Sequence, residues 1–394
     1  LWDTYDPKLY EVVFTVRMDN AVDQVRGYFG MRKIASELIE DADAPAMLCL
    51  NNKPIYLRGV LYQSYHPGGV YTATKASTLR NDIVAALDAG FDFLRIHIKL
   101  DDPLLLYYAD TLGMLIMQDF PNFGEGGDTP LGRKRFEEMM VRGIKRDFNH
   151  PSIISWCIFN ESWGFGGQNE LMQWITPGKA KPKGETEPQR LANLSSFEWI
   201  HRTWQRAKEL DPTRLVEDMS VVVWEHLAAY GHVETDVNSW HFYIDDYELA
   251  KQHIEKVVKS TYHGSAFNYI EGHSQQNVPL INSEYGGIGA LDGDRDISWS
   301  FRFLTNELRL HGELSAYIFT ELTDVEWERN GFLNYDRTRK DFGYDPNLVN
   351  HGDVLPTDSP PISRHALGAE LEVDVFSSHY SRRERRSVTL HWTY

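Results

Sequence analysis

Two glutamates occupy positions where a carboxylate is unusual. Glu161 closes the apolar run at 153–160 (IISWCIFN), and Glu284 closes the run at 279–283 (PLINS). A carboxylate at the end of a strand-length apolar run is partly desolvated, so it must be paired or put to use. Hydrolysis of a glycosidic bond uses two such groups: one protonates the leaving oxygen while the other meets the anomeric carbon. Set about 5 to 5.5 Å apart, the pair would act by double displacement with net retention, through a covalent glycosyl-enzyme. The bland alternative for the same residues is an unrelated buried ion pair.

The two can meet only if the fold brings 161 and 284 to one surface. Between about 53 and 345 short apolar runs alternate with amphipathic stretches. Strands are predicted at 55–62, 93–98, 114–120, 153–160, 214–220, 237–243, 279–285 and 314–320. Leu79, Ile83, Val84 and Leu87 share one face of a helix that Ser77 or Thr78 would cap and Gly90 would stop. Phe136, Met139, Met140 and Ile144 keep the 3.6-residue period ahead of the turn at 149–151 (NHP). Helices are also expected at 194–210, 247–262 and 298–311. Eight strands alternating with helices predict an α/β fold, a (β/α)8 TIM barrel. A doubly wound sheet is the second choice, but it would need a glycine-rich phosphate turn after an early strand.

Barrel enzymes place their chemistry at the C-terminal ends of the strands. The polar residues there are Arg95 and His97 on the second strand, Asp119 on the third, and Asn160 and Glu161 on the fourth. Trp240, His241 and Tyr243 end the sixth, Glu284 the seventh and Glu321 the eighth, with Trp327 shortly after. The segment 164–193 is a long Gly/Lys/Pro-rich insertion after Glu161, expected as a loop that overhangs the barrel mouth.

Composition narrows the partners. The chain carries 57 Asp and Glu against 40 Lys and Arg, a net charge of −17 that would repel a phosphate backbone, so nucleic acid is not expected. No run approaches the ~18 apolar residues of a membrane helix, so no membrane span is expected. Aromatic residues make up 13% of the chain, which mildly favours a sugar as ligand, because flat rings suit pyranose faces. Cys49 and Cys157 have no metal spacing and no disulfide framework, and neither a metal nor a cofactor is expected. The first residues carry no targeting signal, which leaves the compartment open. Strand-like segments at 9–16 and 28–32, and again at 371–376 and 387–394, suggest partial β domains at both ends of a longer protein.

The run at 149–162 (NHPSIISWCIFNES) resembles the fourth-strand signature of glycoside hydrolase family 2, and 281–286 (INSEYG) resembles its nucleophile strand. Residues 28–34 (YFGMRKI) are similar to the end of that family's immunoglobulin-like domain, and 57–60 (LRGV) to its first barrel strand. The resemblance implies three parts: 1–42 as the end of an immunoglobulin-like β-sandwich, 43–345 as the catalytic barrel, and 346–394 as a linker and the start of a C-terminal β domain. It implies a β-galactosidase/β-glucuronidase-like enzyme, exo-acting on terminal, β-linked sugar residues, with Glu161 as general acid/base and Glu284 as nucleophile; the expected substrate is a neutral hexoside or pentoside. Carbohydrate is then the partner, and a homo-oligomer is compatible with the family.

Around the pair, Asn160 is expected to bond the sugar 2-hydroxyl. Tyr243 would donate to Glu284 and keep it ionised. Arg95 would either orient the same carboxylate or form a structural ion pair beneath the mouth. His97, Trp240 and His241 are candidates for the sugar pocket or for satisfied core side chains. Asp119 and Glu321 are candidates for sugar contacts, and Trp327 for stacking on the ring. Two other readings stay open: a retaining endo-glycanase of the same clan with an open cleft, and a carbohydrate-binding protein that has lost catalysis. Retention of both glutamates argues against the last.

Overall fold

The structure is a computed structural model describing residues 1–38, 44–122, 128–161, 187–220, 231–244, 246–286, 297–326, 328–361, 363–381, 387 and 389, with backbone alone at 187–194. The chain opens on an antiparallel hairpin, β1 (Tyr10–Met18) and β2 (Ala21–Phe29), and a three-stranded antiparallel sheet, β3 (Ile34–Glu37), β4 (Met47–Leu50) and β5 (Lys53–Pro54). Eight parallel strands follow: β6 (Leu57–Tyr62), β7 (Phe93–Ile96), β8 (Leu115–Asp119), β9 (Ile153–Asn160), β10 (Leu215–Ser220), β11 (Asn238–Phe242), β12 (Leu280–Tyr285) and β13 (Leu314–Phe319). The helices between them are α1 (Ala76–Asp88), α2 (Pro103–Leu112), α3 (Pro130–Asp147), α4 (Glu187–Leu210), α5 (Tyr247–Ser260) and α6 (Ile297–Arg309). Two short strands, β14 (Asp353–Val354) and β15 (Ser378–His379), pair in the tail.

The eight predicted barrel strands are all present, and the strand order β10-β9-β8-β7-β6-β13-β12-β11 is that of a nearly closed TIM barrel. The β10/β11 seam has no ladder and is closed in other ways. Val216 N–H donates to Asp236 Oδ2 at 2.9 Å, Asp236 N–H to the Val216 carbonyl at 2.9 Å, and Ser239 Oγ to Glu217. Strands buried on both faces read as continuous apolar runs, and that is why they were legible. Helix α2 was not expected. Its signals are local: Asp102 caps it by accepting from Leu104 N–H at 2.9 Å, Pro103 begins it, and Gly113 ends it in the left-handed conformation. For α1 the expected cap is wrong: Lys75 is the N-cap, without a side-chain bond, and Ser77 and Thr78 lie in the first turn. The expected loop at 164–193 is also shortened, since α4 begins at Glu187; residues 162–186 lie outside the described residues.

Side chains sort into two cores by the period-2 alternation of the strands. Leu57, Leu61, Phe93, Leu115, Met117, Val237, Ile281 and Ile318 fill the barrel interior, joined by Trp2, Ile34, Leu48 and Leu50, which plug its N-terminal end. Leu94, Ile96, Ile116, Trp156, Val216, Trp240, Phe242 and Tyr317 pack outward with residues of the helices. Within residues 1–42 the described strands are the β1–β2 hairpin and β3, which pairs with β4. The strand expected at 371–376 is reduced to a single bridge, Val375 to Thr357, and the last expected strand lies almost wholly outside the described residues. No helix among the described residues is long and apolar enough to cross a membrane.

The start of β9 is clamped by a buried ion pair. Arg214 donates to Asp211 at 2.7 Å and to the carbonyls of Phe148, His150 and Ile153 at 2.7–2.8 Å, while Trp156 Nε1 donates to Asp211 at 2.9 Å. Asp211→Ala would take from the buried Arg214 its paired carboxylate, so urea unfolding should show a loss of about 3–5 kcal/mol. A loss below about 1 kcal/mol would show that this pair does not hold β9.

Candidate active site

The C-terminal ends of the strands gather seven of the predicted residues around one guanidinium. Arg95, on β7, is fully buried. Its Nε and Nη2 donate to Asp119 at 3.0–3.2 Å, and Nη1 donates to Glu284 Oε1 at 3.0 Å. Nη2 also donates to Asn160 Oδ1 at 2.7 Å and Ser220 Oγ at 3.0 Å, and Nη1 to the Ser283 carbonyl at 3.2 Å. Burial works against the charge of Arg95, but Asp119 first, then Cys157 and Glu284, hold the guanidinium firmly protonated.

Glu284 reaches this cluster through an irregularity in β12. Between β11 and β12 Trp240 pairs with Asn282 and His241 with Glu284, so Ser283 is an extra residue. Strict alternation from Ile281 would turn Ser283 inward and Glu284 outward; the bulge turns Glu284 inward too. Its Oε2 accepts from Tyr243 OH at 2.6 Å, completing a carboxylate bonded at both oxygens. The Tyr243 hydroxyl is kept protonated by burial and by the charge of Glu284, although its ring is 41% exposed. Gly286 ends the strand at φ 82°, where a Cβ would lie 2.4 Å from the Phe319 ring.

Glu161 stands immediately after β9 with φ 50°, a conformation that bulky residues seldom adopt, its N–H bonded to the Ser220 carbonyl at 2.9 Å. His241 links it to the guanidinium. Nε2 of His241 lies 3.2 Å from Arg95 Nη1 and 2.5 Å from Ser220 Oγ, and Nδ1 lies 2.7 Å from Glu161 Oε1. One oxygen of Glu161, one oxygen of Glu284 and one nitrogen of His241 all lie within 4.8 Å of one another. Among the described residues this is also the group whose spacing would suit a metal ion.

The comparisons with known proteins agree with this geometry. Residues 43–293 match the model of glycosyl hydrolases family 2, TIM barrel domain. The chain belongs to glycosyl hydrolases family 2. A β-galactosidase of Pectobacterium atrosepticum is 27% identical over 256 residues, 59% of this chain and 23% of that protein. A β-galactosidase of Yersinia pestis is 26% identical over 238 residues, 57% of this chain and 21% of that protein. The chain thus spans less than a quarter of these relatives' length. Among solved structures, Bacteroides uniformis β-glucuronidase 2, covalently bound to cyclophellitol-6-carboxylate aziridine, superposes over 91% of this chain and 42% of its own with a TM-score of 0.68 at 21% identity. A family 2 β-galacturonidase from Eisenbergiella tayi bound to galacturonate covers 89% of this chain and 59% of its own, with a TM-score of 0.67 at 17% identity. These likenesses show the shared fold.

Within this family 2 barrel, not every predicted site residue opens onto the mouth. Arg95, Asn160, Glu161, His241, Tyr243 and Glu284 form the network above, and His97 Nδ1 lies 3.3 Å from Asp119 and 3.8 Å from Glu284. Trp240 faces away: it is fully buried in the outer core, stacked with Phe242, because alternation sends it to the face opposite His241. Asp119 is fully buried too, beneath Arg95 and the Ile98 N–H, so it positions the guanidinium and cannot touch a sugar directly. Glu321 is fully buried on the β13 side, and Trp327 lies outside the described residues. Asn160 is buried and bonded to Arg95. Three polar residues were missed. Ser220, the last residue of β10, obeyed the strand-end rule and could have been found; Gln63 and Glu328, in mouth loops, gave no periodic signal.

Burial alone would raise the Asp119 carboxyl, but the Arg95 charge, aided by His97, holds it below its ordinary value of 3.8. A depressed folded-state value stabilises the fold above the unfolded value and loses that stabilisation as pH falls through the lower one. Asp119→Asn should therefore be less stable than wild type by roughly 2–3 kcal/mol at pH 7, with the gap narrowing at pH 3. An equal gap at both pH values in chemical denaturation would show that Asp119 is not held charged.

Proposed function

We propose that this chain carries the catalytic barrel of a retaining, exo-acting glycosidase, with Glu284 as nucleophile and Glu161 as general acid/base. The observation that carries the reading is the approach of one oxygen of each glutamate to within 4.8 Å, on strands β9 and β12 of one barrel mouth. Retaining glycosidases hold their two carboxyl groups at about 5–5.5 Å, whereas inverting ones need about 6.5–9.5 Å for an intervening water. The relatives' names, β-galactosidase and β-glucuronidase, support a glycoside as substrate, and the family resemblance implies exo action on a β-linked terminal sugar. The division at 1–42, 43–345 and 346–394 goes with this reading.

In the first step Glu284 attacks the anomeric carbon as Glu161 gives its proton to the departing glycosidic oxygen, and the carbon–oxygen bond breaks. In the second, Glu161 takes a proton from water, which attacks the same carbon and frees Glu284. Tyr243 and Arg95 aim the nucleophile. His241 Nδ1 lies 2.7 Å from Glu161 Oε1, which leaves Oε2 as the oxygen for proton transfer. Asn160 spends Oδ1 on Arg95 and Ser220, which directs its NH2 group toward the sugar 2-hydroxyl.

Glu284→Gln should lower turnover of aryl β-glycosides by ~10³-fold or more, and a fluorinated glycosyl probe should be found on Glu284 by mass spectrometry; a label on another residue would sink the assignment. For Glu161→Ala, substrates with good leaving groups should still glycosylate the enzyme, and azide should accelerate turnover. A rate indifferent to azide would remove Glu161 from the acid/base role.

A further inference from the structure

Glu284 faces inward because Ser283 is an extra residue in β12, and an extra residue has no ladder partner of its own on β11 to hold it. Side chains hold it instead, from both faces of the sheet. On the outer face Asn282 Nδ2 donates to the Trp240 carbonyl on β11 at 3.0 Å and, along its own strand, to the Glu284 carbonyl at 3.1 Å. On the inner face the Ser283 carbonyl accepts from Arg95 Nη1 at 3.2 Å, and the Ser283 hydroxyl donates to Ser239 Oγ on β11 at 2.9 Å. Ser239 Oγ in turn donates to Oε1 of Glu217 on β10. A run of three side chains on three strands therefore ends at the bulge.

Glu217, Ser239 and Ser283 are all fully buried. Glu217 stands level with Cys157 in the β9–β10 ladder, below the level at which Ser220 and Asn160 meet Arg95, and its inward neighbours Leu215, Cys157 and Val237 belong to the apolar core. A carboxyl group this deep is costly to bury unless its hydrogen bonds are made, and an apolar side chain would fill the place more cheaply. The double displacement has no use for it as an acid, a base or a nucleophile. What Glu217 supplies is an acceptor: it takes the one proton of the Ser239 hydroxyl, which leaves the Ser239 oxygen to accept from Ser283.

Resting on the glycosidase reading, we propose that Glu217, Ser239 and Ser283 are positioning residues for the nucleophile: their buried run pins the β12 bulge and so sets how far Glu284 reaches toward the anomeric carbon, while none of the three touches substrate. Glu284 is then held by two separate means. Arg95 and Tyr243 fix its oxygens, and the run through Ser283 fixes the backbone from which the side chain springs. A reacting atom misplaced by about 1 Å costs on the order of 100-fold in rate. Slack in the bulge therefore belongs in the glycosylation step and not in the binding of the sugar.

The test reads glycosylation directly, with dinitrophenyl 2-deoxy-2-fluoro-β-glycosides of gluco, galacto and glucurono configuration on the full chain, and labelling of Glu284 followed by mass spectrometry. The final label per chain counts folded sites, and the rate constant at saturating probe reads the placement of Glu284. Glu217→Leu, Ser239→Ala and Ser283→Ala should each reach the wild-type label per chain, with a saturating rate constant ~10- to 100-fold lower. The half-saturating probe concentration should stay within about threefold of wild type. Each serine variant removes one hydroxyl and no more, so the test survives an unfolded Glu217→Leu. Glu217→Gln keeps an acceptor for Ser239 and should label within about threefold of the wild-type rate. Ser239→Ala and Ser283→Ala combined should cost no more than the worse of the two, because a run cut once is already cut, whereas independent packing losses multiply. Wild-type rate constants in the two serine variants, a multiplied loss in the double variant, or a Glu217→Gln as slow as Glu217→Leu overturns the positioning role and leaves the glycosidase reading standing. Absence of wild-type labelling by all three probes overturns the glycosidase reading itself, and the positioning role with it.

Discussion

The mouth of this barrel is organised around a buried positive charge. An unpaired guanidinium removed from water would cost several kcal/mol, so its neighbours must be acceptors with good geometry. Arg95 finds them on four other strands: Asp119 on β8, Asn160 on β9, Ser220 on β10, and Glu284 with the Ser283 carbonyl on β12. One side chain thereby ties together strand ends that arrive from distant parts of the chain. The tie is bidentate toward Asp119, which a lysine could not reproduce. Asp119 braces the guanidinium from beneath, and the guanidinium's remaining donors are left to aim Glu284 and Asn160 upward. The site is therefore built in layers: a buried carboxylate, a cation fixed by it, and a second carboxylate above them at the mouth.

The same charge explains why the interior of the barrel changes character along its axis. At the N-terminal end the inward positions are Leu57, Phe93, Leu115 and Ile281, sealed by Trp2 and Leu48. Two residues further along each strand the inward set becomes Arg95, Met117 and Ser283, and then Asp119 and Glu284. Burial keeps the polar layer dry from below, which strengthens each of its hydrogen bonds relative to water. The cost is that both flanking carboxylates must be satisfied, and the Tyr243 hydroxyl and His97 are the remaining groups drawn into that task.

Much of this was legible from residue types. Buried parallel strands announce themselves as apolar runs, so all eight were found, and a strand-end rule brought Arg95, Asn160, Glu161, His241, Tyr243 and Glu284 into view. That rule says where along a strand a residue lies but not which face it takes. Alternation supplies the face: Val237, Ser239 and His241 share one side, and Trp240 and Phe242 the other, so the misplacement of Trp240 was avoidable from sequence. The inward turn of Glu284 was not, because an extra residue at Ser283 breaks the alternation that would have been used to predict it. Helix α2 escaped for the opposite reason. Its stretch at 103–112 (PLLLYYADTL) is too uniformly apolar to show a helical period, and only its caps mark it.

A double displacement asks different things of its two carboxyls. The nucleophile must present an unprotonated oxygen throughout, whereas the acid/base must give up and regain a proton between steps. The two environments differ, and on the proposed reading the difference suits those tasks. The Glu284 side chain is 5% exposed and bonded at one oxygen by a guanidinium and at the other by a phenol. That of Glu161 is 15% exposed, sits beyond the strand end at a positive φ, and lies 2.7 Å from His241 Nδ1 at Oε1. His241 stands between the two, with Nδ1 toward Glu161 and Nε2 toward Arg95 and Ser220, so on the proposed double displacement the two carboxyls are linked through one buried ring.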